Sequence, residues 1–250
     1  MKLAAIFNVW SDWDMLKYSV ANIRPLVDGV IIVGSETSNY GEASPIPEEW
    51  RNYELYIKEP ALAHPMHAET SKRNHGLTIA KEQGYTHFIM LDSDEFYDPV
   101  DFLTEKQRFI DNPDLAGLVC GSRVYFGSPK LTIGIDTTRV PFIHKITPDL
   151  QHTFNRRYPF AWEGRDIRID PTRSLNINEG VEWSNIIMEH LSWWRPSGDY
   201  AKKIRNSTAR INLERSTILQ DLAECREGYF CQFYQKPLSR ATVDFGIPCD

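Results

Sequence analysis

Three short apolar runs limit what this chain can become: Leu3-Ala4-Ala5-Ile6-Phe7, Val30-Ile31-Ile32-Val33 and Phe88-Ile89-Met90-Leu91. None alternates apolar with polar residues, so none suits a strand with one face in water. Uninterrupted runs of this length suit the strands of a parallel sheet covered on both faces. Parallel neighbours need crossover connections, and the segments between the runs are long enough to supply helices. Asp12 or Asp14 can cap a helix that runs to about Arg24, where Pro25 stops it. Ser35 to Glu49 is polar, with Gly41, Pro45 and Pro47, and reads as a loop; Glu54 to Lys58 reads as a further strand. Glu69 to Gln83 reads as a helix ended by Gly84. The order predicts an α/β chain with a doubly wound sheet and helices on both faces.

The second half is less regular. Leu115 to Tyr125, Leu131 to Ile135 and Phe142 to Ile146 are strand candidates. Ser197 to Leu222 reads as one long helix with Tyr200, Ile204, Ile211, Ile218 and Leu222 on its apolar stripe. With 250 residues the chain suits one large domain. A net charge of −6 argues against a strongly basic nucleic-acid surface. The four cysteines form no C-x-x-C pair, and no long apolar segment opens the chain or could span a membrane. The expectation is a reduced, cytoplasmic protein, in which the glycosylation pattern Asn206-Ser207-Thr208 is fortuitous.

In doubly wound sheets, ligands bind outside the carboxyl ends of the strands. There the third run ends in Asp92-Ser93-Asp94-Glu95. Strand periodicity would put Asp92 and Asp94 on the same side of the backbone, where they can share one divalent cation. An isolated Asp-x-Asp is otherwise a solvated turn. An EF-hand is excluded, because Phe96 and Tyr97 stand at its ligand and glycine positions and Leu103 at its glutamate position. Oxygen ligands suit Mn²⁺ or Mg²⁺, and either can grip a diphosphate.

Arg73-Asn74 early in the second helix, then the strand Phe88 to Leu91, then Asp92-Ser93-Asp94, follow one another in an order and spacing that resemble the GT-A glycosyltransferases, especially the family-two-like group. The resemblance covers about Lys2 to Pro99. It implies a Rossmann-like mixed sheet in a single GT-A domain, 1–250, with a nucleotide-sugar donor half (1–99), an acceptor half (100–195) and a C-terminal helical extension (196–250). It implies a nucleotide sugar as donor, first of all a UDP-sugar, and Mn²⁺ or Mg²⁺ as cofactor. The loops after the first two strands would hold the nucleoside through Asn8, Trp10 and Asp12, then Ser35 and Glu36. The usual Asp-Gly-Ser-Thr-Asp run is here Gly34-Ser35-Glu36-Thr37-Ser38. Arg73 and Asn74 would hold the donor near its phosphates or sugar. Asp92 and Ser93 would meet the ribose or metal, and Asp94 would ligate the metal.

The resemblance also asks for a later histidine ligand followed by basic residues over the diphosphate. His190, ahead of Trp193-Trp194-Arg195 and of Lys203 and Arg205, fits that pattern; a lone histidine is otherwise a satisfied core residue. His64 and His67 are spaced for a helical metal site, but Pro65 between them argues against one. Direct displacement at the anomeric carbon needs a base, and Glu163 and Asp166 are the candidates, with ion pairs to nearby arginines as their bland alternative. The family pattern favours inversion. The acceptor hydroxyl would belong to a glycan or a protein-linked sugar, with nucleic acid less favoured by the charge. Rival readings are a sugar nucleotidyltransferase, which would want a glycine-rich loop where Asn8-Val9-Trp10-Ser11-Asp12 stands, and a non-catalytic sugar- or nucleotide-binding module.

Overall fold

Both faces of the first strand are apolar, and both are covered. The computed structural model describes residues 1–50, 54–55, 64–153, 168–177, 179–206, 215–243 and 245–247. Strand β1 (Leu3–Val9) sends Leu3, Ala5, Phe7 and Val9 into a core shared with Leu16, Val20 and Ile23 of helix α1 (Trp13–Ile23). Its Ala4 and Ile6 enter a second core with Leu77 and Ala80 of helix α2 (Pro65–Glu82). Strand β2 (Gly29–Gly34), the short β3 (Glu54–Leu55) and β4 (His87–Asp92) complete the parallel part. Gly76 allows α2 to press close: a Cβ there would stand 2.5 Å from the Ile6 side chain. That approach carries Glu69, Lys72 and Arg73 to the strand tips.

The chain then crosses the sheet. Strand β5 (Glu95–Tyr97) leads into helix α3 (Pro99–Asp111), whose start is set by Asp98 accepting from the backbone N–H groups of Val100 (2.8 Å) and Asp101 (3.1 Å), with Pro99 in the first turn. Phe102 and Phe109 of α3 close the same face as α1. Strands β6 (Gly117–Phe126), β7 (Leu131–Lys145), β8 (Arg168–Ile169) and β9 (Val181–Trp193) follow. Helices α4 (Tyr200–Asn206) and α5 (Arg215–Glu224), the hairpin β10 (Phe230–Cys231) and β11 (Lys236–Pro237), and β12 (Ser239–Arg240) end the described chain. The main sheet runs β3-β2-β1-β4-β7-β6-β9-β5, with β8 and β12 also pairing to β7. It is mixed: β4 meets β7 antiparallel, whereas β6 and β9 are parallel. This is a Rossmann-like GT-A arrangement.

Several elements differ from the sequence expectation. The two strands expected at 131–135 and 142–146 are one strand, β7. Its polar middle is half-buried or exposed, and Pro141 sits where the β6–β7 register shifts, the place at which a strand tolerates proline. Helix α2 starts four residues early, because Pro65 occupies a first-turn position that needs no N–H donor. Asp12 precedes α1, but its side chain makes no capping bond. The long helix expected from 197 to 222 contains α4 and α5, with 207–214 outside the described residues. The C-terminal part also holds strands, since β12 joins the main sheet. Cys120, Cys225 and Cys231 are free thiols, and no described helix is long and apolar enough to cross a membrane.

One buried group predicts acid sensitivity. His144 on β7 is fully buried, its ring so close to Gly117 that a Cβ there would stand 2.2 Å away. Burial pushes its pKa down from 6.5 to about 3. Between those values the unfolded chain binds a proton that the folded one refuses, so stability falls as pH drops below 6.5. On this group alone the loss from pH 7 to pH 5 is about 2 kcal/mol. Urea titrations of wild type and His144→Leu at the two pH values check it: the variant should lose that much less, and equal losses would refute the assignment.

Candidate active site

The tips of β1, β2 and β4 open onto one cavity of about 560 Å³. Nine residues expected from the sequence line it: Asn8, Trp10 and Asp12 after β1, Ser35 after β2, Asp92, Ser93 and Asp94 after β4, His190 from β9 and Lys203 from α4. The two aspartates are joined by a turn rather than by strand spacing. Strand β4 ends at Asp92, and Ser93-Asp94 reverse the chain into β5. Both carboxylates face the cavity, but each has its own cations.

Asp92 accepts from Arg73 Nη2 at 3.1 Å and from Arg173 Nη2 at 2.6 Å. Burial raises its pKa, and the two guanidinium groups more than reverse this, holding it below the ordinary value. Arg173 also clasps Glu95, whose Oε2 accepts from Arg173 Nη1 at 3.0 Å and from the Asp92 N–H at 3.0 Å; Arg173 Nη2 donates to Glu95 Oε1 as well. Glu95 is 1% exposed, and burial raises its pKa. Asp94 Oδ2 takes Arg195 Nη2 at 2.7 Å and Lys203 Nζ at 3.0 Å, while Oδ1 faces His190 Nε2 at 3.5 Å. Burial opposes ionisation of Asp94, but Lys203, Arg195 and His190 hold its carboxyl well below the usual range. Arg195 also reaches Asp12 at 3.1 Å, so the carboxylate that precedes α1 is spent on the site instead of on the helix.

Lys72 is the odd member. It is 5% exposed, and its ammonium donates to the Val9 carbonyl and to Ser35 Oγ (3.0 Å), tying β1 to β2 at the cavity wall. Burial pushes its pKa down to about 7, against the pull of Glu69 and Asp92.

Four expected residues point elsewhere. Arg73 is fully buried between Glu69 (2.8 Å) and Asp92, and supports the aspartate from behind. Asn74 exchanges two hydrogen bonds with the backbone of His152 (2.9 and 2.6 Å), fastening α2 to the segment that follows β7. Glu36 is exposed and does not line the cavity. Arg205 pairs with Glu42 at 3.2 Å, outside the cavity. Glu163 and Asp166 lie outside the described residues. Sequence reasoning missed Arg173, Glu69 and Lys72. The last two lay next to Arg73 on the same helix face, so the helical period could have found them.

With every member ionised, six carboxylates (Asp12, Glu69, Asp92, Asp94, Glu95, Asp170) stand against five cations (Lys72, Arg73, Arg173, Arg195, Lys203). A diphosphate entering alone would add negative charge to a cluster that has no surplus of positive charge. Among the described residues no group of three His, Cys, Asp or Glu side chains could hold a cation by itself. Asp94 Oδ1 with His190 Nε2 offers one oxygen and one nitrogen toward the cavity. Two protein ligands fit a hard divalent cation whose other positions go to phosphate and water. Asp92, engaged by two arginines, is a poorer candidate for direct ligation.

No protein-family model matches the chain, and no curated protein does. Among solved structures, residues 1–349 of TarS from S. aureus align with a TM-score of 0.46 at 15% identity, over 90% of this chain and 70% of that one. The same fragment in complex with UDP-GlcNAc gives 0.41 at 15%, over 90% and 71%. The inositol-1-phosphate CTP transferase of T. maritima gives 0.35 at 9%, over 86% and 97%. The chain spans 43% of a longer TarS structure. The likeness to these enzymes is distant and assigns no family.

Proposed function

We propose that the protein is a glycosyltransferase that moves a sugar from a nucleotide diphosphate, a UDP-sugar first of all, to an acceptor hydroxyl. The observation that carries this reading is the meeting of Asp92, Asp94, His190 and Lys203 in one cavity at the tips of β1, β2 and β4. The wall made by Asn8, Trp10 and Ser35 would hold the nucleoside, with the Lys72 ammonium fixing the two strand tips against each other. Asp94 and His190 would hold a Mn²⁺ or Mg²⁺ ion, which supplies positive charge to the departing diphosphate. Lys203, 18% exposed at its side chain, can donate to a phosphate oxygen from the same side. Arg195 and Arg173 touch no substrate in this scheme; they keep Asp94, Asp12, Asp92 and Glu95 in place. The acceptor oxygen bonds to the anomeric carbon as the bond to the diphosphate breaks, and the electron pair leaves with the diphosphate. Glu163 or Asp166 would receive the hydroxyl proton, and a single displacement from the face opposite the diphosphate would invert the anomeric carbon.

A panel of UDP-, GDP-, CMP- and dTDP-sugars tests the reading. At least one is expected to release its nucleotide slowly without acceptor when Mn²⁺ is present, and EDTA should reduce that release at least tenfold. A chain that hydrolyses none of them, and whose melting temperature none of them raises, would be no transferase. With an acceptor in hand, NMR of the product anomer would test the base: retained configuration removes the assignment of Glu163 and Asp166.

A further inference from the structure

The cavity has a second kind of wall, on the other side of the aspartates from β1 and β2. In the sheet order β4 separates β1 and β2 from β7, β6 and β9, and Trp193 ends β9. Beside Trp193 stand Phe233 and Tyr234, from the turn between β10 and β11, and all three line the cavity. Phe233 and Tyr234 meet edge to face with centroids 4.9 Å apart, and Phe233 meets Trp193 at 6.0 Å. The Trp193 indole N–H donates to Tyr234 Oη at 2.8 Å. Lys203 links this wall to the acids, with its ammonium 5.6 Å from the Trp193 ring centre and 3.0 Å from Asp94.

The wall is held rigidly from behind. Asp221 of α5 is 1% exposed, and its carboxylate accepts from Tyr229 Oη (2.9 Å), the Gln232 N–H (3.1 Å), the Phe233 N–H (2.8 Å) and Cys231 Sγ (3.3 Å). One buried carboxylate thus fixes the turn that presents the two rings. Trp193 is 4% exposed, whereas Phe233 and Tyr234 are half-buried and line the cavity. A preorganised aromatic face beside a polar centre suits a ligand with a flat apolar side and a hydrophilic rim. A pyranose ring is such a ligand, through the C–H face it shows when its hydroxyls are equatorial. A nucleobase is better served at the β1 and β2 tips, where the cavity is lined by the polar Ser35, Ser38 and Asn39.

We propose that Phe233, Tyr234 and Trp193 form the acceptor subsite, and that it takes an uncharged pyranoside stacked by its C–H face on Phe233, against which Tyr234 is set edge to face. The word acceptor rests on the glycosyl-transfer reading; the sugar site itself does not. The test is saturation-transfer NMR on the full chain with UDP and Mn²⁺, using the methyl pyranosides of glucose, galactose, N-acetylglucosamine and rhamnose. UDP binding is followed separately by thermal shift. At least one glycoside is expected to show transfer, strongest at the C–H protons of one ring face. Phe233→Ala should weaken it at least fivefold, and Phe233→Leu, which keeps bulk but not the flat ring, should do nearly the same. The UDP shift should survive in both variants. The proposal is overturned if no glycoside shows transfer, if neither variant changes it, or if both variants weaken the UDP shift as strongly, which would make the wall part of the donor site. Glycoside binding that depends on Phe233 in a protein blind to UDP and the other nucleotides would support the sugar site and remove the transferase reading.

Discussion

Arg173→Leu is expected to lower the unfolding free energy by about 3–5 kcal/mol at pH 7, because it strips the counter-charge from carboxylates that stay buried. Arg173 is 3% exposed and reaches Asp92, Glu95 and, at 3.6 Å, Asp170. Among the described residues, Glu95 is then left with no guanidinium and Asp92 with Arg73 alone. The loss should depend on pH in a set direction. Burial already places the Glu95 pKa above its unfolded value, and the substitution removes the group that pulls it down. An acid with a raised folded pKa binds its proton more readily in the folded chain. Stability therefore falls as pH rises through that folded pKa and recovers below it. The variant should be closer to wild type at pH 5 than at pH 8, by urea titration at both. Arg173→Lys should recover part of the loss, since an ammonium restores charge but not the two-pronged grip. A variant within 1 kcal/mol of wild type, or one with no dependence on pH, would mean that the network contributes little.

That the largest stability effect falls on a residue with no sequence signature shows where sequence reasoning ends. The parallel core was legible because Leu3 to Phe7, Val30 to Val33 and Phe88 to Leu91 are covered on both faces, and burial on both faces leaves an uninterrupted apolar run. Seven cavity residues, from Asn8 to Asp94, were legible because loops at strand tips in this topology must converge, whereas His190 and Lys203 followed from the family resemblance alone. Helix α3 carries its own start signal, Asp98-Pro99. Strand β9 was harder: the buried Ile186, Met188, Leu191 and Trp193 keep no single period of two, because the strand bulges against β6. Arg173 stands in a short turn marked locally by Pro171 and by Asp170 accepting from the Thr172 N–H at 2.9 Å. Its importance comes from where Asp92 and Glu95 arrive, about eighty positions away in the chain. Arg73 and Asn74 show the converse. Their place in the sequence suggested donor contacts, while their side chains hold Asp92 and the His152 backbone.

Asp94→Asn should have the largest effect on activity. The substitution keeps size and one accepting oxygen but removes the charge on which Arg195, Lys203 and His190 converge. Nucleotide release from the best donor sugar should fall on the order of 10³-fold, the scale for deleting one preorganised electrostatic contact. Binding should separate into two parts. The Mn²⁺-dependent share of the UDP thermal shift should vanish, since one of the two cavity-facing ligands is lost. The share seen in EDTA should persist or grow, because Lys203 and Arg195, released from Asp94, become available to phosphate oxygens. Burial and Arg195 already press the Lys203 pKa down, and losing Asp94 lowers it further. The EDTA-resistant share should therefore weaken as pH rises, at a lower pH in the variant than in wild type. His190→Ala should reproduce the loss of Mn²⁺ dependence while leaving the ion pairs of Asp94 with Arg195 and Lys203 intact. If Asp94→Asn kept the full Mn²⁺-dependent shift, Asp94 would not carry the cation, and its charge would serve only to hold Lys203 and Arg195 at the cavity wall.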